Sequence, residues 1–131
     1  MAGFPGISHV ALTVTDLDRS REFYGRLLEA DPIVDEDAGG FYHVVYALEG
    51  GTLLGLHTHP TTNDQPRFSE FRSGLDHLAF GVSSRAELEK WVSRLDELGI
   101  DHGGIVDAPY GSGLSFRDPD NIALELFAPP S

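Results

Sequence analysis

The strongest constraint on this chain is that it contains one pattern twice. Setting His9 over His77, an offset of 68 residues, lays SHVALTVTD over DHLAFGVSS and pairs Ala11 with Ala79, Leu12 with Phe80 and Val14 with Val82. Further along, Phe23 meets Trp91 and Leu27 meets Leu95. Near the end of each copy the offset becomes 70. EGGTLLGLHTHP then lies over PDNIALELFAPP, so that Leu54 falls on Leu124, Leu56 on Leu126 and Pro60 on Pro130. A period this long exceeds that of solenoid repeats and reads as a duplicated half-domain.

Each copy has the same predicted order. A short strand comes first, Ile7–Val14 and then Leu75–Val82, with a helix after it. In copy one the helix starts at the N-cap Asp16 and buries Phe23, Tyr24, Leu27 and Leu28. In copy two Ser84 and Glu87 have capping-box spacing, Leu88, Trp91, Val92, Leu95 and Leu98 form one apolar stripe, and Gly99 ends the helix. Three strands follow in each copy, broken at Gly39-Gly40, Gly50-Gly51, Tyr110-Gly111 and Pro119-Asp120-Asn121. The acidic stretch VDEDAGG at 34–40 reads as a solvated turn. The result is an α+β chain of two βαβββ modules, 7–60 and 75–130, joined by a polar linker at 61–74.

With 131 residues and 40% hydrophobic content, the chain is long and apolar enough for a single globular domain, 1–131. Its formal charge of −12 argues against nucleic acid and against anionic membranes as partners. The absence of cysteine excludes disulfides and thiolate metal sites. No basic leader and no apolar run of membrane-spanning length is present, so a cytoplasmic protein is expected.

The repeat sorts the histidines. On the first strands, His9, Ala11 and Thr13 share a face, as do His77, Ala79 and Gly81. The larger apolar residues on the opposite faces must meet the helices, so the histidine faces look away and are lined with small side chains. On the last strand of copy two, Glu125 lies opposite Leu124 and Leu126, and a carboxylate between apolar neighbours needs a cation or a metal. Its counterpart in copy one is Gly55, and His57 maps to Phe127. His9, His77 and Glu125 thus form a candidate two-histidine, one-carboxylate set for divalent Fe, Mn, Ni, Co or Zn. Hydrogen-bonded structural histidines are the alternative reading of the same pattern.

Three stretches, HVALTVTDLDRSREFY at 9–24, DHLAFGV at 76–82 and FRDPDNIALELF at 116–127, make the chain resemble the vicinal oxygen chelate superfamily, the group of glyoxalases, bleomycin-resistance proteins and extradiol dioxygenases. The resemblance implies two modules curled into an incomplete, cup-like mixed β-barrel with helices outside. It also implies a divalent metal held at the positions of His9, His77 and Glu125, and a homodimer in which modules of both subunits build each site. Lyase, isomerase or dioxygenase-type chemistry on a small substrate with vicinal oxygens would follow. Metal-free, drug-binding members make sequestration of a drug or metabolite the alternative. This chain departs from the glyoxalase I pattern by carrying Gly55 where a fourth ligand stands. It lacks the basic loop of the fosfomycin-modifying transferases, and Asn121 replaces the usual turn glycine.

His57 shares the face of Gly55 and is the candidate catalytic residue, as general base, substrate contact or alternative ligand; a rim histidine is the plainer reading. Gly55, Tyr110 and Phe127 are candidate substrate contacts. His59 is expected in solvent, His43 and His102 at the surface, and Tyr46 in packing. Arg67, Phe68, Phe71 and Arg72 read as an ordinary amphipathic linker, with a lid as the alternative.

Overall fold

The computed structural model describes residues 3–62 and 67–131, and the chain divides into two compact units, Met1–Pro66 and Arg67–Ser131. The division falls within the predicted linker, of which residues 63–66 lie outside the described residues. The chain is α+β, and both units are βαβββ modules.

Module one comprises β1 (His9–Thr13), α1 (Leu17–Leu28), β2 (Val34–Asp37), β3 (Tyr42–Ala47) and β4 (Leu53–Thr58), in the sheet order β1-β4-β3-β2. Module two repeats this with β5 (Leu78–Gly81), α2 (Arg85–Glu97), β6 (His102–Ala108), β7 (Gly111–Arg117) and β8 (Ala123–Ala128), in the order β5-β8-β7-β6. In each module the first and last strands run parallel, and the remaining neighbours are antiparallel. The crossover that a parallel pair requires is the helix. Ala11 pairs with Gly55 and Ala79 with Glu125, so the register makes Gly55 and Glu125 equivalent, as the aligned halves predict.

Side-chain alternation decides which face each helix covers. Leu12, Val14, Val44, Tyr46, Leu54 and Leu56 are buried, with Tyr24 and Leu27 of α1 completing this core. Leu114, Phe116, Leu124 and Leu126 do the same in module two, with Leu88 and Leu95 of α2. Each fully buried leucine contributes about 1.5–3 kcal/mol of transfer free energy. The caps are those read from the sequence. Asp16 accepts from the Arg19 N–H at 3.1 Å, Ser84 accepts from the Glu87 N–H at 3.2 Å, and Gly99, at φ 71°, closes α2 in the left-handed region. No helix among the described residues is long and apolar enough to cross a membrane.

Two details differ from the sequence reading. The first strands are shorter than predicted, and His77 sits one residue ahead of β5. Residues 34–37 are a strand, not a solvated turn. This acidic edge strand has one neighbour, β3, and its side chains hold it there: Asp35 accepts from the Tyr42 hydroxyl at 2.6 Å and from Arg21 at 2.9 Å. An edge strand needs only one hydrogen-bonded side and tolerates charge, so hydropathy gives little sign of it.

Candidate functional site

Both sheets turn a face away from their helices, and the predicted site residues lie on these faces. In module one His9, Ala11 and Thr13 are exposed, while Leu12 and Val14 on the other side are buried. In module two His77, Ala79 and Gly81 are exposed.

The two strand-leading histidines are held alike. His9 Nδ1 lies 2.8 Å from the Ser8 hydroxyl, and His77 Nδ1 lies 2.7 Å from Asp76 Oδ1. A carboxylate only accepts, so His77 Nδ1 carries the proton and Nε2 keeps its lone pair in the neutral ring. The serine hydroxyl both donates and accepts, and fixes the His9 tautomer less firmly. In each case the residue immediately before the histidine contacts Nδ1, and for His77 this is the imidazole–carboxylate pairing common among metal-binding histidines.

His77 and Glu125 line one cavity of about 180 Å³ in module two, together with Glu70, Asp76, Ser115 and Arg117. Glu125 is half-buried, not enclosed, and no cation or hydrogen-bond donor among the described residues pairs with its carboxylate. Gly113 makes room for it: a Cβ there would come within 3.0 Å of Glu125 Oε2. On the cavity wall both terminal nitrogens of Arg117 are engaged. Its Nη2 donates to Glu70 Oε2 at 2.7 Å, and its Nη1 to Glu70 Oε1 at 3.4 Å and to the Asn121 carbonyl at 3.1 Å. The hydrogen bond from Arg117 holds the Glu70 carboxyl below its ordinary range, and Glu70 in turn raises the guanidinium.

Module one presents imidazoles instead. The His57 ring folds back over Gly55, with Nε2 3.3 Å from where a Cβ on that glycine would stand. Phe41 stacks on it, centroids 4.8 Å apart and planes 10° apart, and His43 meets it edge-on at 5.4 Å. Burial pushes the His57 imidazole below its ordinary value, and His43, His59 and His9 push the same way. The ring is therefore neutral at pH 7, the form that accepts a proton.

Within either module, no three of the described His, Asp and Glu side chains gather as a metal-holding group. The predicted set is divided between modules, with His9 on one and His77 and Glu125 on the other. Of the candidate substrate contacts, Gly55 underlies His57, while Tyr110 is exposed and stacks on Phe127 at 6.3 Å. His59 is exposed and Tyr46 is packed beneath α1, as predicted. His43 and His102 are not simple surface residues. Both are half-buried, His43 Nε2 lies 3.4 Å from Glu36, and His102 Nε2 lies 2.8 Å from Asp96. Phe41, Asp76, Glu70 and Arg117 were not among the predicted site residues. Asp76 and Arg117 stand inside the motifs DHLAFGV and FRDPDN, and Phe41 precedes His43 at strand spacing, so a local signal existed for these three.

The model of the Glyoxalase/Bleomycin resistance protein/Dioxygenase superfamily matches residues 6–126. The chain is 30% identical over 125 residues to a putative ring-cleaving dioxygenase, MhqA, of Bacillus subtilis, covering 94% of this chain but 39% of that protein's length. It is 30% identical over 122 residues to the metallothiol transferase FosB of Staphylococcus saprophyticus, covering 92% of this chain and 74% of that one. Among solved structures, a glyoxylase/bleomycin resistance protein/dioxygenase domain from Frankia sp. EAN1pec superposes with a TM-score of 0.86 at 35% identity, covering 98% of this chain and all of the other.

Proposed function

This chain belongs to the Glyoxalase/Bleomycin resistance protein/Dioxygenase superfamily, and we propose that it is a metal-dependent enzyme of that family acting on a small substrate with two adjacent oxygens. His9, His77 and Glu125 are the proposed ligands of a divalent metal. The observation that carries the reading is the matched pair of imidazoles, each tied through Nδ1 to the residue before it. The donor set fits a divalent ion: two imidazoles and one carboxylate without a cation partner among the described residues, with Gly113 leaving room for the carboxylate. A divalent metal bound there supplies Lewis acidity toward the two substrate oxygens.

The chain's own residues do the rest. Asp76 holds the His77 imidazole so that Nε2 is the atom presented, and Ser8 contacts His9 at the same ring position. Neutral His57 takes or returns a proton at Nε2, its ring braced by Phe41. Phe127 and Tyr110 provide an apolar wall for the substrate, and Gly55, lacking a Cβ, lets the His57 ring lie over it. Because the faces bearing His9 and His77 are exposed in the single chain, the proposal includes pairing with a second copy to complete each site.

The test is metal analysis of untagged protein. A stoichiometric metal that is lost in Glu125→Ala supports the reading. Absence of metal, with no change in melting temperature on adding Mn, Fe, Ni or Zn, overturns it and leaves a metal-free binding protein. A screen of vicinal diols, catechols and 2-oxo compounds then identifies the substrate.

A further inference from the structure

The cavity that holds His77 and Glu125 has an unusual charge arrangement for a site next to a proposed cation. Its described lining carries three carboxylates, Glu70, Asp76 and Glu125, and one guanidinium, Arg117. An arginine beside such a site would ordinarily offer its fork to a substrate carboxylate or phosphonate. Here both terminal nitrogens are already occupied, by the two Glu70 oxygens and by the Asn121 carbonyl.

Glu70 does not reach Arg117 by chance. It lies in the segment that leads into module two, and that segment is held at a second point, where the Asn121 amide donates to the Phe68 carbonyl at 3.2 Å. Asn121 itself is fixed by the turn after β7, at φ 67°, in which Asp118 Oδ1 accepts from the N–H groups of Asp120 and Ile122 at 2.8 Å each. The carboxylate is thus delivered to the guanidinium by a backbone anchored independently of the ion pair.

We propose that Glu70 is a specificity-determining residue: by capping Arg117 it leaves the described lining of this cavity without a free guanidinium for an anionic group, and so favours uncharged vicinal-oxygen compounds over carboxylates or phosphonates. This rests on the reading of His77 and Glu125 as the site, and it adds the charge class of what enters. Removing the Glu70 charge exposes an arginine fork about one charge-assisted hydrogen bond stronger toward anions than the capped pair.

The experiment compares pyruvate with methyl pyruvate, which share the ketone oxygen and differ in whether the adjacent oxygen belongs to a charged carboxylate or a neutral ester. Dissociation constants are measured by calorimetry on the full chain, with Mn²⁺ and again after chelator treatment, for the wild type, Glu70→Gln and Glu70→Gln/Arg117→Gln. After chelator treatment, where no metal draws the carboxylate, the wild type is expected to favour the ester. Glu70→Gln is expected to move the ratio about tenfold toward pyruvate, and the second substitution is expected to return it to the wild-type value. A ratio unchanged in Glu70→Gln, or a gain that survives loss of Arg117, overturns the proposal. Failure of Mn²⁺ to bind removes the metal reading alone, because the shift in ratio on metal-free protein still decides the role of Glu70.

Discussion

The two modules share a backbone and differ in what they display on it. At the paired positions beside Ala11 and Ala79, one has Gly55 and the other Glu125. Module one fills the vacancy with the His57 imidazole and surrounds it with Phe41 and His43. Module two keeps its carboxylate, adds Asp76 and Glu70, and ties up Arg117. The two modules thus share their packing and differ on their open faces, one lined by imidazoles and the other by carboxylates. The helix-covered faces leave no such freedom, because a close-packed core penalises changes of volume.

If the modules are equivalent in packing, matched cuts into their cores should cost alike. Leu54 and Leu124 are both 1% exposed. Leu54→Ala and Leu124→Ala are each expected to lose about 2–5 kcal/mol by urea unfolding. A large loss for one and little for the other would break the symmetry at its base. The next contrast lies in the histidine supports. Asp76→Asn removes the acceptor that fixes the His77 tautomer and is expected to weaken metal binding by about 10–100-fold. Ser8→Ala removes a weaker orienting group from His9 and should fall below that range in the same titration. Equal losses would mean that the carboxylate has no special role.

The smallest expected effect depends on pH. The folded-state value of His57 is lowered, so its stabilising contribution is present above the ordinary histidine value and is lost as pH falls from there through the lowered folded-state value. Melting temperature between pH 7 and pH 5 should therefore fall more steeply for the wild type than for His57→Gln. Identical slopes would show that the imidazole is not held in its neutral form by burial.

Much of this molecule could be read before any fold was known. The repeat aligns residues whose environments prove equivalent, the caps Asp16 and Ser84 announce both helices, and alternation separates the core leucines from the histidine faces. What escaped did so for identifiable reasons. The strand at Val34–Asp37 is polar and lies at a sheet edge, so its hydropathy resembles that of a turn. His43 and His102 drew no partner because Glu36 is a cross-strand neighbour and Asp96 lies across the end of a helix. Glu70 sits in what reads as linker, 47 residues from the arginine it caps.

The sequence by itself therefore determined the paired modules, their α+β order and the candidate ligands His9, His77 and Glu125, because strand and helix periodicities depend on spacing along the chain. Only the tertiary structure decided that His57 lies over Gly55 against Phe41, that Asp76 fixes the His77 ring and that Glu70 closes off Arg117. These depend on rotamers and on contacts between strands and segments whose separation in sequence carries no periodic signal.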